Sequence, residues 1–135
     1  MSQFRKVTDH LQVSPQITPD EAREAVAAGV VLIINNRPDA EAPDQPRSAE
    51  IEAVARADGA DYLWLPVVGR PTPDQARQQA AAIAAAKGPV LAFCRSGTRS
   101  ITAWALGEAA GGRDREELVR LAAAAGYDLA PALLG

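Results

Sequence analysis

Short apolar runs alternate along the chain with stretches in which apolar residues recur at helical spacing. A short apolar run bounded by Gly, Pro, Asn or Asp predicts a buried strand, whereas the helical spacing predicts an amphipathic helix. Val30 to Ile34 is rich in β-branched residues and apolar throughout, so it predicts a central strand that is covered on both faces. The other predicted strands are Asp9 to Ser14, Asp61 to Val67 and Pro89 to Phe93.

Two of the predicted helices begin with the same start signal. Thr18-Pro19-Asp20-Glu21 and Thr72-Pro73-Asp74-Gln75 each combine a Thr cap, a Pro in the first turn and a Glu or Gln three residues after the cap. A third helix is predicted to be capped by Ser48. The predicted helices are Thr18 to Gly29, Ser48 to about Gly59, Thr72 to Lys87, Ser100 to about Ala110 and one from Asp114 onward, with a short turn or helix in residues 127–135.

Strands that alternate with helices predict an α/β fold of three layers, with a mainly parallel sheet flanked by helices in a single domain, 1–135. Ligands of such sheets bind beyond the carboxyl ends of the strands. If the main strands run parallel, that edge gathers polar residues from three places: Asn36, Arg37 and Asp39, then Gly69 and Arg70, then Cys94 to Arg99. Residues Ala40 to Arg47 between them are rich in Pro and acidic residues, which is typical of a lid or of a solvated connection.

Composition narrows the functions that this fold can have. The formal net charge of −3 argues against a general role on nucleic acids or membrane surfaces, and no apolar run has the length of a membrane span. One His and one Cys do not supply the usual ligands of a zinc site, so neither a metal nor a cofactor is expected. A single Cys also excludes an internal disulfide framework, which favours a reducing, cytoplasmic setting. Because much of the apolar content is Ala, the helices are expected to pack closely.

The residues between the last predicted strand and its helix carry the chemistry. A lone Cys after a strand is often a small buried hydrophobic residue. Here, however, Cys94 is followed by a polar, cationic loop that ends at Arg99. The N-terminus of the next helix aims backbone N–H groups at this loop, which favours a thiolate and binds anions. Residues predicted to hold the anion are Arg95, Ser96, Gly97 and Thr98 in the loop, Arg99 at its end and Arg37 after the Val30 to Ile34 strand.

Four motifs give this chain a family resemblance: Ser14-Pro15-Gln16, Ile34-Asn35-Asn36-Arg37-Pro38-Asp39, Leu65-Pro66-Val67 and Cys94-Arg95-Ser96-Gly97-Thr98-Arg99-Ser100. The chain resembles the dual-specificity phosphatase-like fold and, more closely, the bacterial phosphatase-like domain found alone or fused to beta-lactamase-like hydrolases. The resemblance implies a phosphatase of the tyrosine or dual-specificity type, acting on a small anionic substrate or a phosphorylated protein. It further implies a nucleophilic thiolate at Cys94 that forms a phosphocysteine, an anion-binding Arg99 and a Ser100 that assists the leaving thiolate.

The chain departs from the phosphatase pattern in two respects. Phosphatase loops place the arginine six positions after the cysteine, whereas Arg99 follows Cys94 by five. The shorter loop resembles the active loop of rhodanese sulfurtransferases, which carry a persulfide on the cysteine. The general acid is also unassigned, because Gly69 stands near its usual place and the candidates are Asp74 and Asp39. A sulfurtransferase and a non-enzymatic anion-binding or redox-sensing module therefore remain as alternatives, and the sequence leaves the oligomeric state open.

Overall fold

The computed structural model describes residues 3–135, which form a sheet and six helices. The strands are β1 (Arg5–Lys6), β2 (Leu11–Ser14), β3 (Leu32–Asn35), β4 (Asp61–Trp64) and β5 (Val90–Phe93). The helices are α1 (Pro19–Ala27), α2 (Ser48–Ala57), α3 (Pro73–Ala85), α4 (Thr98–Ala110), α5 (Arg115–Ala124) and α6 (Ala130–Leu133). Within this part of the chain, no helix combines the length and the apolar character needed to cross a bilayer.

The five strands form one sheet in the order β1-β2-β5-β3-β4. The pairs β2–β5, β5–β3 and β3–β4 are parallel, and only β1, a short edge strand, runs antiparallel to its neighbour. The predicted parallel sheet is confirmed, and β3 lies inside it with all four residues buried. The four parallel strands therefore end at one edge, where the polar motifs of the sequence meet.

Helices cover both faces of the sheet, which gives the three predicted layers. On one face, Ile33 and Phe93 pack among buried residues of α1 and α2. On the other, Ile34 and Ala92 pack against the helices that follow β5. Neighbouring residues of one strand thus face opposite layers, because side chains alternate across a strand. The expected close helix packing is present where α3 meets α4: a Cβ on Gly107 would lie 2.7 Å from the Ala76 carbonyl oxygen.

Both Thr-Pro start signals are confirmed. Thr18 and Thr72 cap α1 and α3, and each accepts a hydrogen bond from the backbone N–H three residues later at 3.1 Å. The predicted Ser48 cap is wrong, because Arg47 is the capping residue and Ser48 lies inside the first turn. There the Ser48 hydroxyl pairs with the Tyr62 hydroxyl at 2.7 Å, so it takes part in the contact between α2 and β4.

Other element boundaries differ from the predictions by a few residues. Helix α4 begins at Thr98 rather than Ser100, because Gly97 takes the capping position in a left-handed conformation. Strand β4 ends at Trp64 rather than Val67. The N–H groups of Leu65 and Val67 nevertheless donate to the carbonyls of Asn35 and Asn36, each at 2.9 Å, so the chain continues along the end of β3.

Candidate active site

The Cys94 loop, residues 94–97, lies where β5 leaves the sheet and α4 begins. Two backbone contacts tie it to the end of β2: the Cys94 N–H donates to the Ser14 carbonyl at 3.4 Å, and the Gln16 N–H donates to the Arg95 carbonyl at 3.2 Å. Gly97 closes the loop with φ = +94°, a conformation that residues with a Cβ rarely adopt. The loop therefore has a fixed backbone at the carboxyl edge of the sheet.

Cys94 is fully buried beneath this loop. The Gly97 N–H donates to its sulfur at 3.1 Å, so at least one loop amide points at the thiol. The first N–H groups of a helix lack intrahelical acceptors, and the helix dipole places positive potential there. The N-terminus of α4 thus provides an environment that stabilises negative charge on the sulfur or on an anion beside it.

Arg99 is held from outside the loop by Glu41. The guanidinium donates from Nη1 to Glu41 Oε2 and from Nη2 to Glu41 Oε1, both at 2.8 Å, in a bidentate ion pair. Its Nη1 also donates to the Val67 carbonyl at 2.8 Å. These contacts use both Nη1 hydrogens and one Nη2 hydrogen. The Nε–H and the second Nη2 hydrogen lie on the other edge, and they remain available to the sulfur or to an oxyanion.

Glu41 also binds a second arginine. Arg37 donates from Nε to Glu41 Oε1 at 2.9 Å and from Nη1 to Gln16 Oε1 at 3.1 Å. The Arg37 side chain is only 4% exposed, and that of Arg99 is 17% exposed. Arg37 and Arg99, together with the Glu41 that joins them, are called the arginine pair below. This group of three residues carries two positive charges and one negative charge. Its excess positive charge lies beside Cys94 and favours an anion there.

The contacts between Arg99 and Glu41 change the pKa values of both groups. The Arg99 guanidinium, which donates to Glu41, lowers the pKa of that carboxyl from 4.5 to about 2, against the opposing effect of burial. Hydrogen bonding to Glu41 raises the pKa of Arg99, burial lowers it, and the nearby charge of Cys94 raises it again. Glu41 is therefore a carboxylate near neutral pH and carries no proton to donate to a leaving group.

Ser100 belongs to a buried polar network behind the loop. Gln79 on α3 donates to the Ser100 carbonyl at 3.0 Å and accepts from Asn36 Nδ2 at 2.7 Å. Asn36 also donates to the Leu65 carbonyl at 3.0 Å. Within residues 3–135, the buried atoms Asn36 Oδ1 and Ser100 Oγ have no hydrogen-bonding partner. The Ser100 hydroxyl is thus free to donate to a group that forms or binds in the site.

Comparison with known proteins identifies the family. The sequence model of the phosphatase-like domain of beta-lactamase hydrolase-like proteins matches residues 3–111. The chain belongs to this family. It is 39% identical over 131 residues to a beta-lactamase hydrolase-like protein of Xylella fastidiosa, an alignment that covers 94% of this chain. The domain spans 30% of the length of that relative.

Solved structures agree with this assignment. A candidate phosphatase from Neisseria meningitidis is 35% identical and superimposes with a TM-score of 0.84, covering 96% of this chain and 92% of that one. PTPMT1, solved in complex with PI(5)P, is 16% identical with a TM-score of 0.73, covering 88% of this chain and 80% of that one. The second likeness shows the fold alone. The phosphatase-like domain thus has the fold of the dual-specificity phosphatases, as the sequence predicts.

The remaining loop residues of the phosphatase-like domain face outward. Arg95, Ser96 and Thr98 are exposed, and the Ser96 hydroxyl donates to Thr98 Oγ1 at 2.9 Å. Tyr127, between α5 and α6, donates its hydroxyl proton to the Ser96 carbonyl at 2.9 Å. A Cβ on Gly97 would overlap this hydroxyl, so Gly is required at this position for two reasons, its φ and its contact with Tyr127.

The two carboxylates considered as general acids have other partners. Asp39 accepts from the Ser48 N–H at 2.8 Å, which caps the start of α2. Asp74 lies exposed in the first turn of α3, where it accepts from Arg77 at 3.2 Å and from Gln78 at 2.9 Å. These contacts place both carboxylates in helix-stabilising positions. The carboxylate that binds Arg99 is Glu41.

Glu41, Gln79 and Tyr127 complete the site, and none of them is predicted from the sequence. Glu41 lies in the Pro-rich loop, where no periodicity shows which way a side chain points. Gln79 has one usable signal, because it is a polar residue in an alanine-rich stretch, on the face of α3 that also buries Ala76. Tyr127 has no such signal, since its contact joins residues 31 positions apart.

Proposed function

We propose that this domain is a cysteine-dependent phosphatase that hydrolyses phosphate monoesters. The observation that supports it most is that Cys94 Sγ accepts from the Gly97 N–H at the N-terminus of α4 and interacts with Arg99, whose guanidinium uses its other edge for Glu41. A phosphoryl group there meets a nucleophile, backbone donors and a planar cation at the same time. Family membership and the phosphatase-like fold support the same function.

The proposed reaction has two steps. The Cys94 thiolate attacks phosphorus in line, the P–S bond forms, and the bond to the leaving oxygen breaks with its electron pair. Arg99 and the loop amides stabilise the charge on the equatorial oxygens. Water then attacks phosphorus and loses a proton to solvent, phosphate is released, and the electron pair of the P–S bond returns to sulfur. Ser100 donates a hydrogen bond to the thiolate that leaves.

The proton donors of the site limit the substrates. Glu41 is ionised, and Asp39 and Asp74 have helix-stabilising partners. Without a carboxylic acid beside the leaving oxygen, substrates whose leaving group is stable as an anion react fastest. An aryl oxide, with a pKa of about 10 as in tyrosine, is a much better leaving group than an alkoxide. Aryl phosphates, including phosphotyrosine, are therefore the proposed substrate class.

Burial of Cys94 sets a condition on this reaction. A phosphate monoester reaches the sulfur only when the side chains that cover it move, since Cys94 has no exposed surface. The loop backbone is tied to β2 on one side and to Tyr127 on the other. Side chains around the loop, rather than its backbone, are therefore proposed to open the site.

The test compares phosphate release from an aryl phosphate by the wild-type protein, Cys94→Ser and Ser96→Ala. Cys94→Ser removes the thiolate at nearly unchanged volume and is expected to abolish turnover. Ser96→Ala alters an exposed hydroxyl of the same loop and is expected to retain most of it. Equal rates in the wild-type and Cys94→Ser proteins, or no release by either, contradict the proposal.

A second candidate function is sulfur transfer, favoured by the short spacing between Cys94 and Arg99. In that reaction the thiolate attacks the outer sulfur of thiosulfate, a persulfide forms on Cys94, and sulfite leaves with the electron pair of the broken S–S bond. An acceptor thiolate then takes the outer sulfur and restores Cys94. Mass spectrometry after thiosulfate treatment distinguishes the two, because one added sulfur on Cys94 supports transfer and an unchanged mass contradicts it.

A further inference from the structure

The chain that leaves β4 presents a row of apolar side chains to solvent. From Trp64 to Val68 burial alternates from one residue to the next: Leu65 and Val67 are buried, and their N–H groups donate to the carbonyls of Asn35 and Asn36. Trp64, Pro66 and Val68 are exposed. These three residues are called the apolar stripe below.

Exposure of the apolar stripe is unusual for this molecule. Trp64 is 44% exposed and Val68 is 83% exposed. Across residues 3–135, the exposed large hydrophobic residues are these two and Leu134. Single exposed hydrophobic residues need no explanation, whereas neighbouring ones form an apolar surface that a ligand can cover. The burial of Leu65 and Val67 already anchors the segment, so folding does not require the exposed residues to be apolar.

Two hydrogen bonds join the apolar stripe to the arginine pair. The Trp64 indole Nε1–H donates to the Arg37 carbonyl at 2.9 Å. Arg99 Nη1 donates to the carbonyl of Val67, the residue immediately before Val68, at 2.8 Å. The carbonyl of Pro66 accepts from Gln75 at 3.0 Å, which fixes the middle of the segment. The stripe is therefore preorganised next to the positive charge of the site, at a reduced entropic cost of binding.

We propose that the apolar stripe receives the aromatic group of the substrate while its phosphate is held at Cys94 and Arg99. This inference rests on the proposed phosphatase function and identifies the residues that select aryl over alkyl substrates. Trp64 offers a ring face whose polar N–H already has a partner, and Val68 offers an exposed branched side chain. An aromatic ring joined to an anion matches a surface in which exposed apolar side chains lie on the segment whose Val67 carbonyl accepts a hydrogen bond from the Arg99 guanidinium.

The experiment measures binding of two phosphonates, which carry the anion but are not hydrolysed. Phenylphosphonate and methylphosphonate are titrated by calorimetry into the full chain, as the wild type, Val68→Ser, Trp64→Ala and Leu134→Ser. The wild type is expected to bind phenylphosphonate about fivefold to tenfold more tightly than methylphosphonate. Val68→Ser makes no change to a hydrogen bond of the site, so it is the principal variant, and Leu134→Ser is its matched control.

The expected result is that Val68→Ser and Trp64→Ala remove most of the preference for phenylphosphonate, whereas Leu134→Ser retains it. Equal affinity of the wild type for the two phosphonates, or a preference that survives both stripe variants, overturns the inference. A wild type that releases phosphate through Cys94 but shows no preference contradicts the apolar stripe alone. A wild type that shows the preference and loses it in both variants, yet has no turnover, supports the stripe and contradicts the phosphatase proposal.

Discussion

Two ion clusters of this domain have opposite compositions. In the arginine pair, Arg37 and Arg99 share the single carboxylate of Glu41. On the surface after α4, a single Arg113 is shared by Glu108 at 2.9 Å and Glu117 at 2.7 Å. The first cluster carries a net positive charge and contains two largely buried arginines, whereas the second carries a net negative charge on side chains that are 36% to 46% exposed.

The difference in net charge and burial distinguishes the cluster of the proposed active site from an ordinary surface cluster. Each Glu of the surface cluster pairs with Arg113, and solvent screens the remaining negative charge, so the cluster gains little from any added ion. The arginine pair contains two cations and only one anion. Because these groups are largely buried, the unbalanced positive charge costs free energy that a bound anion would offset. Counting ion pairs would rate the two clusters alike. Their charge ratio and burial are what distinguish the cluster proposed to bind an anionic substrate.

The largest expected effect comes from replacing Arg99. Arg99→Lys keeps a positive charge but loses the planar fork, and we expect kcat for an aryl phosphate to fall about 100-fold. Arg95→Ala, in the exposed part of the loop, is expected to act more on KM than on kcat. Steady-state kinetics of Arg99→Lys and Arg95→Ala, which give kcat and KM for each variant, test these expectations. A wild-type rate in Arg99→Lys together with an inactive Arg95→Ala would assign the two arginines the opposite roles.

A smaller loss is expected for Glu41→Gln, which keeps the shape of the side chain but removes its charge. Arg99 then loses the bidentate partner that orients it, and we expect kcat/KM to fall about tenfold. Glu50→Gln is the matched control, because the exposed Glu50 pairs only loosely with Arg47, at 3.7 Å. Measuring the binding of inorganic phosphate distinguishes two roles of Glu41, positioning Arg99 or competing with the substrate for it. Tighter binding and faster turnover in Glu41→Gln would show that Glu41 competes with the substrate rather than positioning Arg99.

Acid is expected to remove the contribution of Glu41 to stability. The pKa of this carboxyl falls from 4.5 to about 2 on folding, so its ion pairs stabilise the folded state fully above pH 4.5. This stabilisation is lost as the pH falls from 4.5 towards 2, where the folded state also takes up the proton. Thermal melting of the wild type and Glu41→Gln should therefore differ most near pH 6 and progressively less below pH 4.5. A difference that stays constant from pH 6 to pH 2.5 would contradict this.

The smallest effect is expected in the surface cluster. Arg113→Gln removes both ion pairs and the contact of the guanidinium with the Trp104 ring, whose centroid lies 6.0 Å away. Since these groups are exposed, we expect the free energy of unfolding to fall by about 1 kcal/mol or less, with kcat unchanged. Urea denaturation measures the first quantity. A loss of phosphatase activity in Arg113→Gln would contradict the claim that, of the two clusters, only the arginine pair contributes to turnover.

Much of the fold could be predicted because local signals and burial agree. Pro in the first turn, Thr caps and a continuous apolar strand each indicate their own structure, and the parallel order follows from their alternation. Strand β1 is not predicted because Arg5–Lys6 is a short, exposed edge pair with no apolar pattern. The predicted Ser48 cap is wrong because the helix begins one residue earlier than predicted: Arg47 is the capping residue, and the Ser48 N–H donates to the Asp39 carboxylate, nine residues earlier.

Only those parts of the site whose residues are close together in the sequence could be predicted. Cys94, Gly97 and the N-terminus of α4 follow one another along the chain, so their joint chemistry can be inferred from the order of the residues. The bond between Glu41 and Arg99 joins residues 58 positions apart, through a loop whose path no repeat determines. The direction of the Arg99 fork depends on that bond. Arg99 could thus be predicted from the sequence as the cation of the site, but Glu41, the counter-ion that orients it, could not.

The contact of Tyr127 with the Cys94 loop makes this phenol sensitive to the charge on the Cys94 sulfur. Burial raises the pKa of Tyr127, Arg5 lowers it, and the charge of Cys94 raises it further. Any modification that neutralises the sulfur, such as alkylation, therefore makes this phenol easier to ionise, whereas a dianionic phosphoryl group on the sulfur makes it harder. The ultraviolet absorbance of phenolate records the ionisation of Tyr127 together with that of Tyr62, the other tyrosine of the chain. A change of this absorbance on alkylation of Cys94 is therefore the expected sign that the phenol and the sulfur interact.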